Sequence, residues 1–513
     1  MSVPLGLFVA AAPFILVLWR RFTRVLSYSP YPPGPKAYPI IGNALDIPLR
    51  TPWETYTAWG RKYGSLTHVT AFGLRLIIIN SLNVAVDLLE NRSNMYSDRP
   101  DMPIAELAGW DINIAALRYG DKWRRHRKMY HQKFKPESIH QFRPLLVTKA
   151  HELLRNLLQS PEERVTHLRH YPAAIIMYIN YGHDVEPKKD RLVRLSEDAT
   201  RMVAETILKG TQVVNLAPPL RHLPSWFPGF QRMARTCRQK VDEMQNVPYN
   251  SVRKHMAEGT VVPSWLSELL DANKSAGEDQ VADIKGVTAT SFAAAHDTSA
   301  SVLQFFVLAM ILYPESQSKA QAEIDRVIGH GRLPSFDDSD SLPCVEAIYR
   351  ELLRWRPAAP LGVPHAATED DIYNGYLIPK GAMIFANIWG LCHDPVVFEN
   401  PNDFIPERYL TAEGTITDDR ITAFGFGRRA CVGRALAHET LWLAIATMLS
   451  VFRFAKAKRE EGEEVDVDGS FTDSLIIHPQ PFRCSITPRT EEHRKLVMNT
   501  PQIKLDSLQL YWE

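Results

Sequence analysis

The 513-residue chain has little cysteine: Cys237, Cys344, Cys392, Cys431 and Cys484 make five, far apart and with no Cys-x-x-Cys pair. That scarcity argues against a disulfide framework and a structural zinc site, and fits a reducing compartment. The chain also lacks an excess of charge. Lys plus Arg (59) balances Asp plus Glu (58), and the net charge of +1 supplies no whole-molecule field for holding nucleic acid, so any electrostatic docking has to be local. Internal repeats and low-complexity tracts are missing as well, which removes solenoid, fibrous and disordered classes. What remains is a chain long and apolar enough to bury a large core as one domain or a close pair.

Val3 to Trp19 is free of charge and mostly apolar, at the short end of what spans a bilayer, and Arg20, Arg21 and Arg24 follow at once. A cleaved signal puts its positive charge before the apolar stretch, so this order reads as a retained anchor with the rest of the chain in the cytosol. The sequons at Asn91 and Asn273 then lie on the wrong side for glycosylation. Pro30 to Pro35 cannot be helix or central strand and reads as a stiff linker. The expected division is therefore 1–29 as anchor and linker and 30–513 as the globular domain.

Leu66 to Thr70 and Leu74 to Ile79 predict a hairpin turning at Phe72-Gly73, with a helical pattern on to Glu90. Long 3.6-residue periods predict helices over Asp121 to Phe134, Ile284 to Leu312, Pro314 to Ile328, Leu342 to Trp355 and, as an amphipathic helix, Cys431 to Phe452. Short strands are expected at Tyr376 to Pro379 and Met383 to Asn387. The fold class is mainly α with small β-sheets.

The strongest chemical signal is Phe424-Gly-Phe-Gly427-Arg-Arg429-Ala-Cys431-Val-Gly433, a turn-rich loop delivering a cysteine to a helix start. A metal-bound thiolate needs its charge stabilised, and a helix amino terminus offers free N–H groups and a positive dipole end. Gly427 permits a tight turn, Gly433 lets the helix backbone approach a flat cofactor, Arg429 reaches an anionic group, and Phe424 keeps the sulfur dry. A chance match of these fixed positions in a chain this long is on the order of 10⁻⁴. The overlapping Gly425-Phe-Gly427-Arg-Arg-Ala430 fits a dinucleotide-binding turn, but that reading needs an acidic residue about twenty positions on. Residues 447 to 453 contain none.

The loop resembles the haem-binding signature of the cytochrome P450 family, Phe-x-x-Gly-x-Arg-x-Cys-x-Gly, and four further segments are similar to family motifs in the family's order. Glu351-Leu-Leu-Arg354 and Pro406-Glu-Arg408-Tyr imply a structural cluster of Glu351, Arg354 and Arg408. Ala293-Ala-Ala-His296-Asp297-Thr298 resembles the oxygen-activation motif, with Ala295 where glycine is usual. Helix geometry puts Thr298 on one face with Ala294 and Ala295 and turns His296 away as a packing residue. The resemblance gives Thr298 the role of hydrogen-bond donor and Asp297 that of bringing protons from solvent. Trp123 and Arg127 match a helix that meets a haem propionate. His365 matches a position that often meets the other propionate and reads equally well as a core histidine.

The resemblance implies a cytochrome P450 fold behind an amino-terminal transmembrane helix in the endoplasmic reticulum membrane, with haem b and Cys431 as axial iron ligand. It implies a monooxygenase fed by NADPH through a separate cytochrome P450 reductase, and a lipophilic small-molecule substrate. No flavin or nicotinamide fold remains unclaimed in the chain. Arg124, Arg125, Lys128 and Lys133 are candidates for a local docking face. The overall likeness is to fungal monooxygenases of secondary metabolism, the group that includes O-methylsterigmatocystin oxidoreductase and a tryptamine hydroxylase. This suggests a terpenoid, polyketide or aromatic intermediate. Ser97 to Tyr119 and Leu208 to Phe230 are the candidate substrate-contact regions, the second a lid touching lipid. Two other classes stay open: a haem-thiolate isomerase or dehydratase needing no electron donor, and a haem sensor without turnover.

Overall fold

The computed structural model describes residues 29–208, 218–223, 230–275, 277–503 and 505. The anchor run Val3 to Trp19 and most of Leu208 to Phe230 lie outside them. Among the described residues the longer helices are α1 (Pro52–Tyr63), α2 (Asp121–Phe134), α3 (Arg143–Gln159), α4 (Arg164–Tyr181), α5 (Arg191–Leu208) and α6 (Phe230–Glu258). They continue with α7 (Trp265–Ala272), α8 (Glu278–Leu312), α9 (Pro314–Val327), α10 (Pro343–Trp355), α11 (Arg434–Val451) and α12 (Glu491–Met498).

Strands β1 (Leu66–Ala71) and β2 (Leu74–Ile79) form the expected hairpin, with Leu66 opposite Ile79 and Ala71 opposite Leu74. A later strand, β6 (Met383–Ala386), lies parallel to β2, and β3 (His365–Ala366) completes the order β1-β2-β6-β3 with His365 opposite Ile384. Two further hairpins pair β4 (Asp371–Tyr373) with β5 (Tyr376–Ile378), and β7 (Phe452–Lys456) with β8 (Cys484–Pro488).

Helix α8 is the axle. It touches α2, α4, α5, α6, α7, α9, α10, α11 and β7, and it is buried without interruption from Ser299 to Ile311. It is also the one described helix long and apolar enough to cross a membrane, yet 78% of its apolar window is buried inside the fold. Such a helix, apolar all round, belongs in the centre of a large domain. Trp355, Trp442, Phe305 and Phe306 are fully buried in the cluster it organises, each contributing about 1.5–3 kcal/mol of burial.

Two expectations are corrected. Helix α11 begins at Arg434 with Gly433 as its N-cap, so Cys431 precedes the helix; and α11 is not amphipathic, because it is packed among α3, α8, α9 and α10. The helical pattern to Glu90 is met, by α-helix over Leu82–Val86 continued by a wider turn over Asp87–Asn91. The proline-rich segment is no free linker: the carbonyls of Pro30 and Pro33 accept from Leu377 N (2.9 Å) and His68 N (3.0 Å), and Tyr31 stacks on His68 at 4.6 Å. Proline keeps its carbonyl as an acceptor even though it loses its N–H, and that suits a segment docked against a strand.

Candidate active site

Cys431 sits at the end of two short helical turns, Thr422–Phe424 and Gly427–Arg429, and its N–H donates to the carbonyl of Phe424 at 2.8 Å. Gly427 is required twice over. Its φ is +53°, and a Cβ there would lie 2.2 Å from the carbonyl oxygen of Leu89, so the close approach it permits is to the wide turn at Asp87–Asn91. Glu90 completes that contact by accepting from Gly427 N at 3.1 Å while pairing with Arg420.

The side chain of Cys431 is exposed, yet surrounding protein pushes its thiol pKa up. Reachable and enclosed at once, it lines an internal cleft. The Gly433 N–H and the charges of Arg127 and Arg434 act against burial and favour the thiolate. On α8 the same pattern appears: between buried Phe292 and buried Ser299, Ala294 is exposed and Ala293, Ala295, Asp297 and Thr298 are half-buried. Ile114, Ala295, Leu361, Phe424 and Val432 form a partly buried fringe of the same core cluster.

Beside the cysteine loop lies a group of cations held by backbone alone. Arg429 donates to the carbonyls of Ser97 (2.7 Å), Ile114 (3.2 Å) and Leu117 (2.8 Å) and lies over the Trp123 ring at 4.6 Å. Arg127 donates to Ala430 O at 2.7 Å. Arg99, 4% exposed, donates to the carbonyls of Ala115, Val363 and Pro364. Burial pulls the Arg429 pKa down to about 10, and burial with the charge of Arg429 holds Arg99 well below its ordinary value. His365, whose Nδ1–H donates to Tyr96 O at 2.7 Å, is held well below the usual histidine range by burial and by Arg99. None of the three guanidinium groups bonds a carboxylate among the described residues. Such a cluster is costly unless an anion completes it.

On α8, Thr298 Oγ1 donates back to Ala294 O at 2.7 Å. Asp297 is bound from two sides, by Arg169 of α4 at 3.2 Å and His478 at 3.3 Å. Burial alone would raise its pKa, but the His478 hydrogen bond and the charges of His478 and Arg169 hold it below the usual carboxylate range. Arg169 also pairs with Glu197 of α5. His296 stacks on Phe292 at 5.5 Å, and burial followed by the charge of Arg169 drives its pKa down, so the ring is neutral.

Away from the cleft, Glu351 and Arg354 form a buried bidentate pair at 2.6 and 2.7 Å. Arg408 joins Glu351 at 3.4 Å, and Arg354 spends its remaining donors on the carbonyls of Cys392, Pro401 and Asp403. Lys133 departs from its expected place on a docking face: it is buried and paired with Glu268 at 2.6 Å. Arg124, Arg125, Lys128 and His131 are the exposed basic groups of α2, with Arg125 paired to Asp283 and Arg124 to Asp121, each at 2.7 Å.

Sequence reasoning missed Arg99, Arg169, Glu197 and His478. Arg99 meets partners 16 to 265 positions away, and no local spacing marks such a residue.

These features define a protein that places an exposed cysteine sulfur beside arginines that bond no carboxylate, a donor set for a flat metal cofactor bearing carboxylates. The family model described as cytochrome P450 matches residues 32–485, and the chain belongs to that family. It is 39% identical to cytochrome P450 monooxygenase 208 of Postia placenta, over 96% of both chains. It is equally 39% identical to tryptamine 4-monooxygenase of Psilocybe cyanescens, over 91% of this chain and 94% of that one. A cytochrome P450 monooxygenase of Ampulloclitocybe clavipes is 38% identical over 94% of this chain and 91% of its own. The chain is a cytochrome P450 monooxygenase, and haem follows from the family. The residues present fit it: Cys431 offers the thiolate, and the guanidinium groups of Arg99, Arg127 and Arg429 lack the anion that the propionates would supply.

Proposed function

We propose that the enzyme inserts one oxygen atom from O2 into a lipophilic terpenoid, polyketide or aromatic intermediate of fungal secondary metabolism, drawing electrons from NADPH through a separate reductase. What supports the reading most is the pairing of an enclosed, reachable Cys431 with arginines that have no carboxylate partner. The likeness to tryptamine 4-monooxygenase makes aromatic amines a first class to test. Val3 to Trp19 anchors the chain in the endoplasmic reticulum membrane with the domain from residue 30 in the cytosol.

The haem supplies oxygen activation once reduced, a chemistry that thiolate ligation favours. In this chain Cys431 would be the residue that holds the iron, and Gly433 N–H, Arg127 and Arg434 would stabilise its anionic sulfur. Arg99, Arg127, Arg429, Trp123 and His365 would hold the propionates. Phe424 and Gly433 shape the wall beside the sulfur. Thr298 turns its hydroxyl from Ala294 O toward the cleft to donate a hydrogen bond, and the methyl of Ala295 narrows the space beside it. Asp297, firmly ionised, passes protons between His478 and the cleft. Exposed Lys128, with the paired but exposed Arg124 and Arg125, serves reductase docking.

The deciding measurement is the carbon monoxide difference spectrum of the reduced, haem-loaded enzyme beside Cys431→Ser. A strongly red-shifted Soret band lost in the variant supports thiolate ligation, and an ordinary haem spectrum in folded wild type overturns the reading. Product analysis with and without NADPH and reductase then separates a monooxygenase from an isomerase that needs no electron donor.

A further inference from the structure

Far from the cysteine loop in sequence and role, three side chains converge where the end of α9 meets the start of α12. Asp325 is in the last turn of α9. Gly329, with φ +75°, donates its N–H to Asp325 O at 3.1 Å, a left-handed helix stop that turns the chain back. The turn brings the next residue, exposed His330, over the carboxylate, with Nδ1 3.7 Å from Asp325 Oδ1. His493, in the first turn of α12 and 3% exposed, faces them: the two imidazoles stand 5.3 Å apart at 89°. One donor atom from each of the three lies within 4.8 Å of the others.

We propose that Asp325, His330 and His493 bind one borderline divalent cation, Zn2+ foremost, which fastens the carboxy-terminal helix to α9. The donor set is the argument. Two imidazoles and a carboxylate suit zinc at about 2.0–2.2 Å and leave a position for water, whereas Mg2+ and Ca2+ call for oxygen ligands. Three ligand atoms around one such ion lie roughly 3–3.5 Å apart, so the contraction needed is small and falls on exposed His330.

The surroundings of His493 and Asp325 are those of supported ligands. Thr490 Oγ1 caps α12 by accepting from His493 N and lies 2.8 Å from His493 Nδ1, which fixes the ring and leaves Nε2 as the nitrogen to ligate. Burial, then the charges of Arg489 and His330, push the His493 pKa down against the pull of Asp325 and Glu492, keeping the ring in its ligating, neutral form. Arg489 bonds Asp325 at 2.8 and 2.5 Å and holds it ionised. Each carboxylate oxygen keeps a further lone pair beyond that bond. Arg489 also opposes a second cation nearby, so binding is weaker than in a closed zinc site. Because Arg489 N donates to Val451 O at 2.9 Å, the ion would tie α9, α12 and the end of α11 together.

The test uses the full-length, haem-loaded enzyme, freed of metal with a chelator and titrated with zinc chloride against a chromophoric zinc indicator. Wild type is expected to take one equivalent, with its unfolding temperature rising as zinc is added and Mg2+ at the same concentration having no effect. His330→Ala, at an exposed position, is expected to keep the fold and weaken binding by about tenfold or more; His493→Gln checks the buried ligand. Failure of wild type to take up zinc stoichiometrically, or affinity unchanged in both variants, overturns the site. The chain has 17 histidines, so the variants, rather than uptake alone, carry the decision.

Discussion

On the Cys431 side of the cleft, the polar groups are held by backbone: Arg429, Arg99 and Arg127 all end on carbonyls, and Cys431 N itself ends on Phe424 O. On the Thr298 side the groups are held by one another's charges: Asp297 by Arg169 and His478, Arg169 by Glu197. Backbone carbonyls move only when the fold moves, and side-chain pairs rearrange at the cost of a rotamer. The difference suits the two tasks. In the roles proposed, a metal ligand and its counter-ions have to stay put, while a proton path has to change partners with each transfer.

The contrast makes its largest prediction in the buried core behind the cysteine loop. Glu351 is completely buried and carries Arg354, Arg408 and Ile405 N at once. Glu351→Gln removes the charge and leaves a buried guanidinium uncompensated, a loss of about 3–5 kcal/mol, and chemical denaturation should show it together with poor haem retention. A variant that unfolds like wild type would mean that this side is not the rigid one.

Asp297→Asn should do the opposite. With the side chain 21% exposed and its partners long at 3.2 and 3.3 Å, the fold should survive within about 1 kcal/mol, and reductase-supported turnover should fall by about 100-fold with an enlarged solvent isotope effect. Loss of stability without an isotope effect would make Asp297 a structural ion-pair member. Gly427→Ala is intermediate: a Cβ 2.2 Å from Leu89 O and a positive φ should together cost about 1–3 kcal/mol, read as a lower unfolding temperature.

The same contrast governs what the sequence could reveal. The cysteine loop and the Glu351–Arg354 pair lie within ten and four residues of chain, so spacing alone brought their partners together. The hairpin at Phe72-Gly73 was legible for the same reason. Arg99 depends on Val363 and Pro364, and Asp297 on residues of α4 and of the segment before β8, so neither environment had a local pattern. Lys133 shows the limit of charge counting: its position on a basic helix says nothing of Glu268, 135 positions on. The amphipathic reading of α11 failed because a helix surrounded on all sides has no polar face for periodicity to reveal. The proline-rich segment was misjudged because its contacts use carbonyls, which every residue type possesses.

The smallest effect concerns acid. His393 follows the Cys392 carbonyl that holds Arg354, stacks on Trp389 at 4.0 Å and is 2% exposed. Burial, despite its bond to Trp389 O, depresses its pKa to about 3. A depressed pKa means that the unfolded chain takes up a proton the folded chain refuses. The stability this group contributes is therefore full above about pH 6.5 and is lost as pH falls from there toward 3. At pH 5.5, one unit below the unfolded value, the loss is about 1.4 kcal/mol. His393→Asn, which does not titrate there, should flatten the dependence of unfolding free energy on pH between 6.5 and 5.5 by about 1 kcal/mol, since about 0.4 kcal/mol of the loss already falls above pH 6.5. His68 and His151, both pushed down by burial to about 4, titrate over much of the same range and leave a residual slope. If the variant's slope matches wild type, His393 is protonated in the folded protein, and the rigid side of the molecule is less dry than its packing implies.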